Sequence, residues 1–520
     1  MAQGMVDAAI ASIRHALMLK PDHAQSHNNL GNALLKKGEL AQAATSYRQA
    51  IKLKPDYTKA HYNLGNALQD QGLAGEAVAS YRQALALQPD FTDAHSNLLH
   101  VLHYDTTDPE PLFQEHRQWQ RQQIGPDILP MSHHPNDPHP DKLLRVGLVS
   151  GDLRGHSVSY FLAAPLAALD GEQVQIHAYA TAPGEDATTQ HLKSMTSSWQ
   201  NIAALSDHQA RELIQRDGID ILVDLSGHTG TPRLKLFAAK PAPVQVNWLG
   251  YPDTTGLDAM DYRFTDAIAD PPGVSDQWAS EKLIRLPNGF HCYHSPREAP
   301  DITPPLQRSW PHHLSQFQQP GQNHPPGDPN LEHHSQSGSH CPADLILKNS
   351  ATTCPEVRSR YQKLFEEGGV AWERIQLISW AESTFPHLSQ YGEGDIALAP
   401  FPYNGVTTTC EAMWMGLPVV TLLGECHAGR VAGSLIGRVG LPSLVATSIE
   451  GNIDIAVELA NNPTQLEEMR SGLREKMWNS PLCDGQGFSR DLEQTFRSLW
   501  QEWCNKSQET DNTQYITGTS

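Results

Sequence analysis

The sequence predicts an α-helical repeat solenoid followed by an α/β region of two Rossmann-like lobes. Three observations carry that expectation: a proline-punctuated period of 34 residues near the N-terminus, a change at Leu143 to short apolar strand-like runs, and a second set of such runs after residue 344. At 520 residues the chain exceeds what one hydrophobic core supports, so two to four domains are expected.

The repeat comes first. Pro21, Pro55 and Pro89 lie 34 apart, each in a Lys-Pro-Asp or Gln-Pro-Asp turn. Between them Gly31/Gly65, Gly38/Gly72, Ala43/Ala77, Tyr47/Tyr81 and Ala50/Ala84 stand in register. Small residues let paired helices approach closely, and the aromatic fills the space they leave. That period and residue set are those of the tetratricopeptide repeat. Residues 5–22 read as the second helix of a repeat whose first helix is absent, which predicts a longer array upstream. Residues 92–123 continue the helical pattern, so the repeats are assigned to 1–123. The Pro- and His-rich stretch IGPDILPMSHHPNDPHPDK is the expected linker, 124–142.

From 143 to 304 the runs LLRVGLVSGDL, VQIHAYA, DILVDLSG, VQVNWLGY, DYRFTD and KLIRLP suit buried parallel strands with ligand loops at their carboxyl ends. DLILKNS, IQLISW, DIALAPF and PVVTLLG repeat the pattern over 345–505, and 506–520 is expected to be a disordered tail. Two such lobes predict a cleft; periodicity alone does not say what it binds.

Composition narrows the function. The formal charge of -20 disfavours nonspecific binding to nucleic acid or anionic membrane, since both carry like charge. No apolar run is long enough to span a bilayer. Asp7, Arg14 and His15 interrupt the N-terminal apolar stretch, which matches the repeat and not a signal peptide. Seven cysteines, an odd number with no CxxC pair, suit reduced thiols in a cytoplasm and do not indicate zinc.

Four long segments carry chemistry. Gly151 to Phe161 (GDLRGHSVSYF) follows the first strand; Trp248 to Asp266 begins WLGYPDTTG; Phe401 to Leu422 (FPYNGVTTTCEAMWMGLPVVTL) is followed by His427 to Ile436 (HAGRVAGSLI); Ser480 to Phe488 reads SPLCDGQGF. In this order they resemble the catalytic motifs of the protein O-GlcNAc transferase and SPINDLY family, whose members join tetratricopeptide repeats to a GT-B catalytic region. The resemblance implies an inverting protein O-glycosyltransferase. Its donor would be a nucleotide sugar, UDP-N-acetylglucosamine or, as in SPINDLY, GDP-fucose. Its acceptors would be Ser or Thr hydroxyls of proteins delivered by the repeats. It implies no metal and no cofactor, and the motifs hold no DxD pair.

The residues support that chemistry in their own right. Transfer from a nucleotide sugar releases a diphosphate, so developing negative charge must be stabilised. Gly405-Val406-Thr407-Thr408-Thr409 leads into a helix expected near Cys410, and N–H groups and hydroxyls at a helix start cradle phosphates. Taken alone, such a run is more often a plain helix cap. By resemblance Thr407 and Thr408 touch the diphosphate, Glu411 the ribose hydroxyls, and His387 the base or ribose; His427 and Arg430 lie near the donor. Arg430 is either a phosphate partner or a loop brace. His156 is either the base that takes the acceptor proton or a group that positions the sugar. His228 is an acceptor-side candidate with a structural role equally open. Ala399-Pro400 departs from the Asp-Thr usual in the family.

Residues 305–344 break the pattern. They carry clustered Pro and Gln and six of the 26 histidines, with no strand or helix pattern. Here the family has Phe-Gly-Ser-Phe-Asn-Asn-Leu-Ala-Lys-Ile-Thr, whose lysine neutralises the leaving diphosphate, and this chain has no lysine in the segment. Codon degeneracy offers an explanation. Joining the last two bases of each codon from Gln316 to His324 to the first base of the next permits Ser-Phe-Asn-Asn-Leu-Ala-Lys-Ile-Thr. We therefore expect two compensating frameshifts, with the frame restored near Leu345. Resequencing the DNA across codons 300 to 350 from an independent sample checks this: the shifted frame should encode that peptide, and DNA that encodes it in no frame refutes the explanation.

Overall fold

The computed structural model describes residues 2–296, 299–302, 313–317, 344–348, 354–379, 381 and 383–517. Helices α1 (Ala2–Leu19), α2 (Ala24–Lys37), α3 (Leu40–Leu53), α4 (Thr58–Asp70), α5 (Ala74–Leu87), α6 (Thr92–Asp105) and α7 (Pro109–Gln123) open the chain. Strands β1 (Leu144–Ser150), β2 (Val174–Ala180), β3 (Ser198–Asn201), β4 (Ile221–Asp224), β5 (Val244–Asn247), β6 (Tyr262–Thr265) and β7 (Lys282–Arg285) follow, interleaved with α8 (Ser157–Ala168), α9 (Ala187–Lys193), α10 (Asp207–Arg216) and α11 (Leu234–Ala238). Then come β8 (His313–Phe317), β9 (Asp344–Lys348), β10 (Ile375–Ile378), β11 (Ile396–Leu398), β12 (Val419–Leu422) and β13 (Val445–Ala446). Their helices are α12 (Pro355–Glu367), α13 (Thr384–Ser389), α14 (Val406–Trp414), α15 (Val431–Arg438), α16 (Ile449–Ala460), α17 (Pro463–Trp478) and α18 (Gly485–Thr517). Among the described residues no helix is long and apolar enough to cross a membrane.

These elements form two compact units. One holds Met1–Leu112, Arg297–Ile436 and Leu441–Arg474; the other holds Phe113–Pro296, Gly437–Gly440 and Glu475–Ser520.

In the first unit the repeats obey the rule read from their small and aromatic positions. The Tyr47 ring lies 2.5 Å from where a Cβ on Gly31 would sit, and Tyr81 stands in the same relation to Gly65. Both tyrosines are fully buried, and their hydroxyls donate to Asn32 Oδ1 (2.8 Å) and Asn66 Oδ1 (2.7 Å) on the preceding helix. Gly38 and Gly72 turn the chain between paired helices at φ +85° and +70°, a region costly for side chains. The second sheet belongs to this unit. Its strands run in the order β10-β9-β8-β11-β12-β13, and all pair parallel. Arg470 of α17, 1% exposed, fixes that helix through Asp395 (2.7 Å) and the Gly394 carbonyl (2.6 Å).

The other unit carries the parallel sheet β3-β2-β1-β4-β5-β6-β7. Every residue of β4, β5 and β6 is buried, as expected of strands covered on both faces. At the end of β4 the Asp224 carboxylate accepts from the Ser226 and Gly227 N–H groups and from Asn247 Nδ2, shaping the turn before His228. Burial pushes its carboxyl up to about 6, against the lowering effect of those three donors.

Three expectations are corrected. First, residues 313–317, read as patternless, form a strand. β8 lies between β9 and β11, with Leu314 opposite Leu345 and Ile396, because the doubly wound sheet needs a strand there and the ladder uses only backbone groups. The rest of 305–344, Asp344 excepted, lies outside the described residues. Second, residues 506–517 continue α18 and are not a disordered tail. No proline interrupts them, and Lys506 reaches back to Glu502 at 2.9 Å. Third, the boundary of the second lobe falls earlier. From Glu475 the chain packs with the first sheet, where Phe488 stacks on Trp248 (6.0 Å) and Ser489 Oγ donates to the Pro165 carbonyl (2.8 Å).

The glycine contact and the buried carboxylate both have measurable consequences. Gly65→Ala forces a Cβ into the Tyr81 ring and should destabilise by about 1–3 kcal/mol in urea unfolding. Gly4→Ala, with open space around it, should stabilise slightly. Asp224 has a raised pKa, so its contribution is full below the unfolded carboxylate value and is lost as pH rises through about 6. The stability of wild type relative to Asp224→Asn should therefore fall by roughly 2–3 kcal/mol between pH 4 and pH 7.5, measured by denaturation at each pH.

Candidate functional site

The donor-side candidates gather at the carboxyl ends of β11 and β12. α14 begins at Val406, four residues before the expected start, so Thr407 and Thr408 lie in its first turn. Its N-cap, Gly405, supplies no side-chain acceptor, which leaves the first N–H groups for a ligand. Thr407, Thr408 and Glu411 are all buried.

Glu411 is the hub of this half. Its Oε2 accepts from His387 Nε2 and from the Tyr391 hydroxyl, both at 2.9 Å. The structure thus joins two predicted residues, His387 and Glu411, that stand 24 apart in sequence. Tyr391 joins the candidate residues, and sequence reasoning did not name it; its position four residues after His387 on a helical stretch is the signal that could have done so.

Two loops frame the start of α14: Ala399–Gly405 after β11 and Leu423–Arg430 after β12. Asn404 binds them together. Its backbone N–H donates to the Ala428 carbonyl (2.8 Å), its Nδ2 to the Pro400 carbonyl (2.7 Å), and its Oδ1 accepts from Ala432 N (3.1 Å). His427 is buried at the head of a short 3-10 turn. Arg430 Nη1 donates to the Gly424 carbonyl of its own loop (2.8 Å).

In the other unit, His156 is the N-cap of α8, and its Nδ1 accepts from Val158 N at 3.3 Å. Its Nε2 lies 3.8 Å from Asp152 Oδ1, and the side chain stays 43% exposed, open to a ligand. Partial burial holds the imidazole pKa below its ordinary value; Asp152 opposes that effect and Arg154 adds to it. With Nδ1 accepting, the proton of the neutral ring sits on Nε2. Around it, Ser159 Oγ donates to the Arg154 carbonyl (2.6 Å) and Ser150 Oγ meets Ser226 Oγ (3.1 Å), tying the loops after β1 and β4. Gly151 has no room for a side chain against Thr231 Oγ1.

His228 is placed differently from the other candidates. It is buried, pairs through Nε2 with the Thr255 carbonyl (2.9 Å), and packs edge-on against Trp119 (4.8 Å) and Tyr251 (5.0 Å). This is the arrangement of a packed core histidine.

The repeats hold a feature the sequence reading did not single out. Asn63 Nδ2 donates to Asn28 Oδ1 and Asn32 Oδ1, both at 3.0 Å, and Asn97 Nδ2 donates to Asn66 Oδ1 (2.9 Å). Asparagines one repeat apart thus form a row of amides along α2, α4 and α6, able to offer both donors and acceptors to a peptide backbone.

Comparison with known proteins places the fold in a family. The profile of Glycosyl transferase family 41 matches residues 127–296 and 355–492, and tetratricopeptide repeat profiles match 31–72 and 58–91. A tomato (Solanum lycopersicum) protein named "Probable UDP-N-acetylglucosamine–peptide N-acetylglucosaminyltransferase SPINDLY" is 36% identical over 76% of this chain and 42% of its own length. An Arabidopsis thaliana relative with the same activity name and the designation SEC is 28% identical over 71% of this chain and 38% of its own. This chain therefore spans less than half the length of those curated relatives. The solved structure of a mutant O-GlcNAc transferase from Thermobaculum terrenum superposes with a TM-score of 0.88 at 36% identity, covering 97% of this chain and 96% of that one. With the family profile matching more than half of its residues, in both α/β regions, the chain belongs to glycosyl transferase family 41.

Proposed function

We propose that the chain transfers a sugar from a nucleoside diphosphate sugar to Ser or Thr hydroxyls of proteins, with inversion, in a cytoplasm. The observation that carries this reading is the Glu411 hub beside an uncapped helix start: a carboxylate held by His387 and Tyr391 for ribose hydroxyls, and Thr407 and Thr408 at the N–H end of α14 for the diphosphate. The acceptor hydroxyl oxygen bonds to the anomeric carbon as the bond from that carbon to the diphosphate oxygen breaks, and the hydroxyl proton passes to the departing diphosphate. The amide row of the repeats binds the acceptor polypeptide. UDP-N-acetylglucosamine is the favoured donor, in line with the relatives' printed names, and GDP-fucose is the alternative.

Between the two roles open for His156, the positioning role is favoured. Its Nδ1 lone pair is already engaged by Val158 N–H, and its Nε2 carries the proton, so the neutral ring offers a donor and not a base. Partial burial lowers its pKa, which favours the neutral ring.

One observation favours a second reading, a peptide-binding scaffold without transfer. Residues 305–344 supply no lysine where the resemblance puts the one that neutralises the leaving group. Loss of such a charge costs on the order of a hundredfold in rate.

Assays with each donor and an acceptor peptide test both readings. Nucleoside diphosphate release coupled to sugar on the peptide is expected; peptide binding without transfer from either donor establishes the scaffold. His156→Asn should stay within about tenfold of wild type while His156→Ala loses about a hundredfold. Equal large losses in both variants would restore the base role.

A further inference from the structure

The last repeat is braced against both donor-side loops. Tyr403, two residues before the N-cap of α14, leaves its own loop and packs into the hydrophobic core of the repeats. There its ring stacks on Tyr104 of α6, with centroids 4.9 Å apart and planes 30° apart. His100 and His103 of the same helix meet it edge-on, each at 6.2 Å. The other loop makes its own contact: Cys426 also packs against the repeat core, and its Sγ donates to the Thr107 carbonyl (3.1 Å), just past the end of α6. Asn404, next to Tyr403, ties the two loops to each other. The end of the repeat module, α6 and the residues just past it, therefore grips at two points the pair of loops that flank the start of α14.

We propose that Tyr403 and Cys426 are positioning residues for the nucleoside diphosphate, and that α6 is a structural part of the donor site. The proposal rests on the donor-side reading above. Neither contact is needed to close the second sheet, whose ladder runs through β11 and β12 without them. What they constrain is the loop conformation, and with it the direction of the free N–H groups at Val406 to Thr408. Backbone donors bind a diphosphate well only when held in place beforehand, since loop ordering on binding subtracts from affinity. The grip also places donor-site support on the element that carries Asn97 of the amide row, so the module that binds peptide helps to shape the site that binds nucleotide.

Calorimetric titration of the full chain with UDP and, separately, GDP tests this without requiring transfer. Tyr403→Phe keeps the stacked ring and should bind within about twofold of wild type, whereas Tyr403→Ala should bind about tenfold more weakly. Tyr104→Leu, altered on the repeat side alone, should weaken binding in the same direction, which a direct contact between Tyr403 and nucleotide would not produce. Where transfer is measurable, the donor KM should rise more than kcat falls. If Tyr403→Ala does not fold, Tyr104→Leu decides. Either variant, folded and with wild-type affinity, overturns the proposal while leaving the donor reading intact. A wild-type chain that binds neither nucleotide overturns the donor reading and the proposal together.

Discussion

Asn404 is 2% exposed, and its backbone and side chain together make three hydrogen bonds: to its own loop, to the loop after β12 and to the first turn of α15. The loops around the candidate donor residues are held by that cross-link. β11 and β12 are neighbours in a parallel sheet, so their following loops leave the same edge side by side, each with backbone groups that no strand satisfies. An amide carries a donor and an acceptor on one short side chain, and can pin one loop while holding the other. An aspartate would lack the donor, and an apolar residue would strand buried carbonyl and N–H groups at a cost of about 1–3 kcal/mol each. α14, with Thr407 and Thr408 in its first turn, begins two residues after Asn404.

The same logic operates after β1 and β4 of the first sheet. Parallel strands require crossovers, which bring residues far apart in sequence to one edge. Ser150 and Ser226 meet there across 76 residues, and Gly151 gives way to Thr231. Asp224 holds the β4 turn from below with its carboxylate at a burial cost its three donors only partly offset. Such groups are tolerated where they fix a loop that a ligand uses, and are rare elsewhere.

Much of this was legible in the sequence, for identifiable reasons. The repeats were readable because a glycine and a tyrosine sixteen residues apart are one physical contact, Tyr47 on Gly31 and Tyr81 on Gly65, copied with the period. The strands were readable because burial on both faces demands continuous apolar runs, as in Ile221–Asp224. Thr407, Thr408, Glu411 and His387 were named as candidates by resemblance, and the structure brings the last two into a hydrogen bond. Three features were hidden. The start of α14 was misplaced because β-branched threonines weaken the helical signal in the first turn. The Tyr403 contacts join residues about 300 apart, which no local pattern records. The role of His156 turns on which ring nitrogen meets Val158 N–H, a matter of backbone geometry and not of residue type.

Residues 313–317 show how fold and chemistry can part. A central parallel strand is held by a ladder of backbone N–H and carbonyl groups, to which almost any side chain is acceptable provided it fits the space. Ser315, fully buried beside Gly394, is small enough to fit there, and β8 pairs on both sides despite a sequence with no strand pattern. Charge stabilisation has no such tolerance: a departing diphosphate needs a cation at one place, and neither backbone pairing nor overall superposition supplies it. A TM-score of 0.88 to an O-GlcNAc transferase therefore speaks to the sheets and the repeats, and not to the charge that the proposed transfer needs.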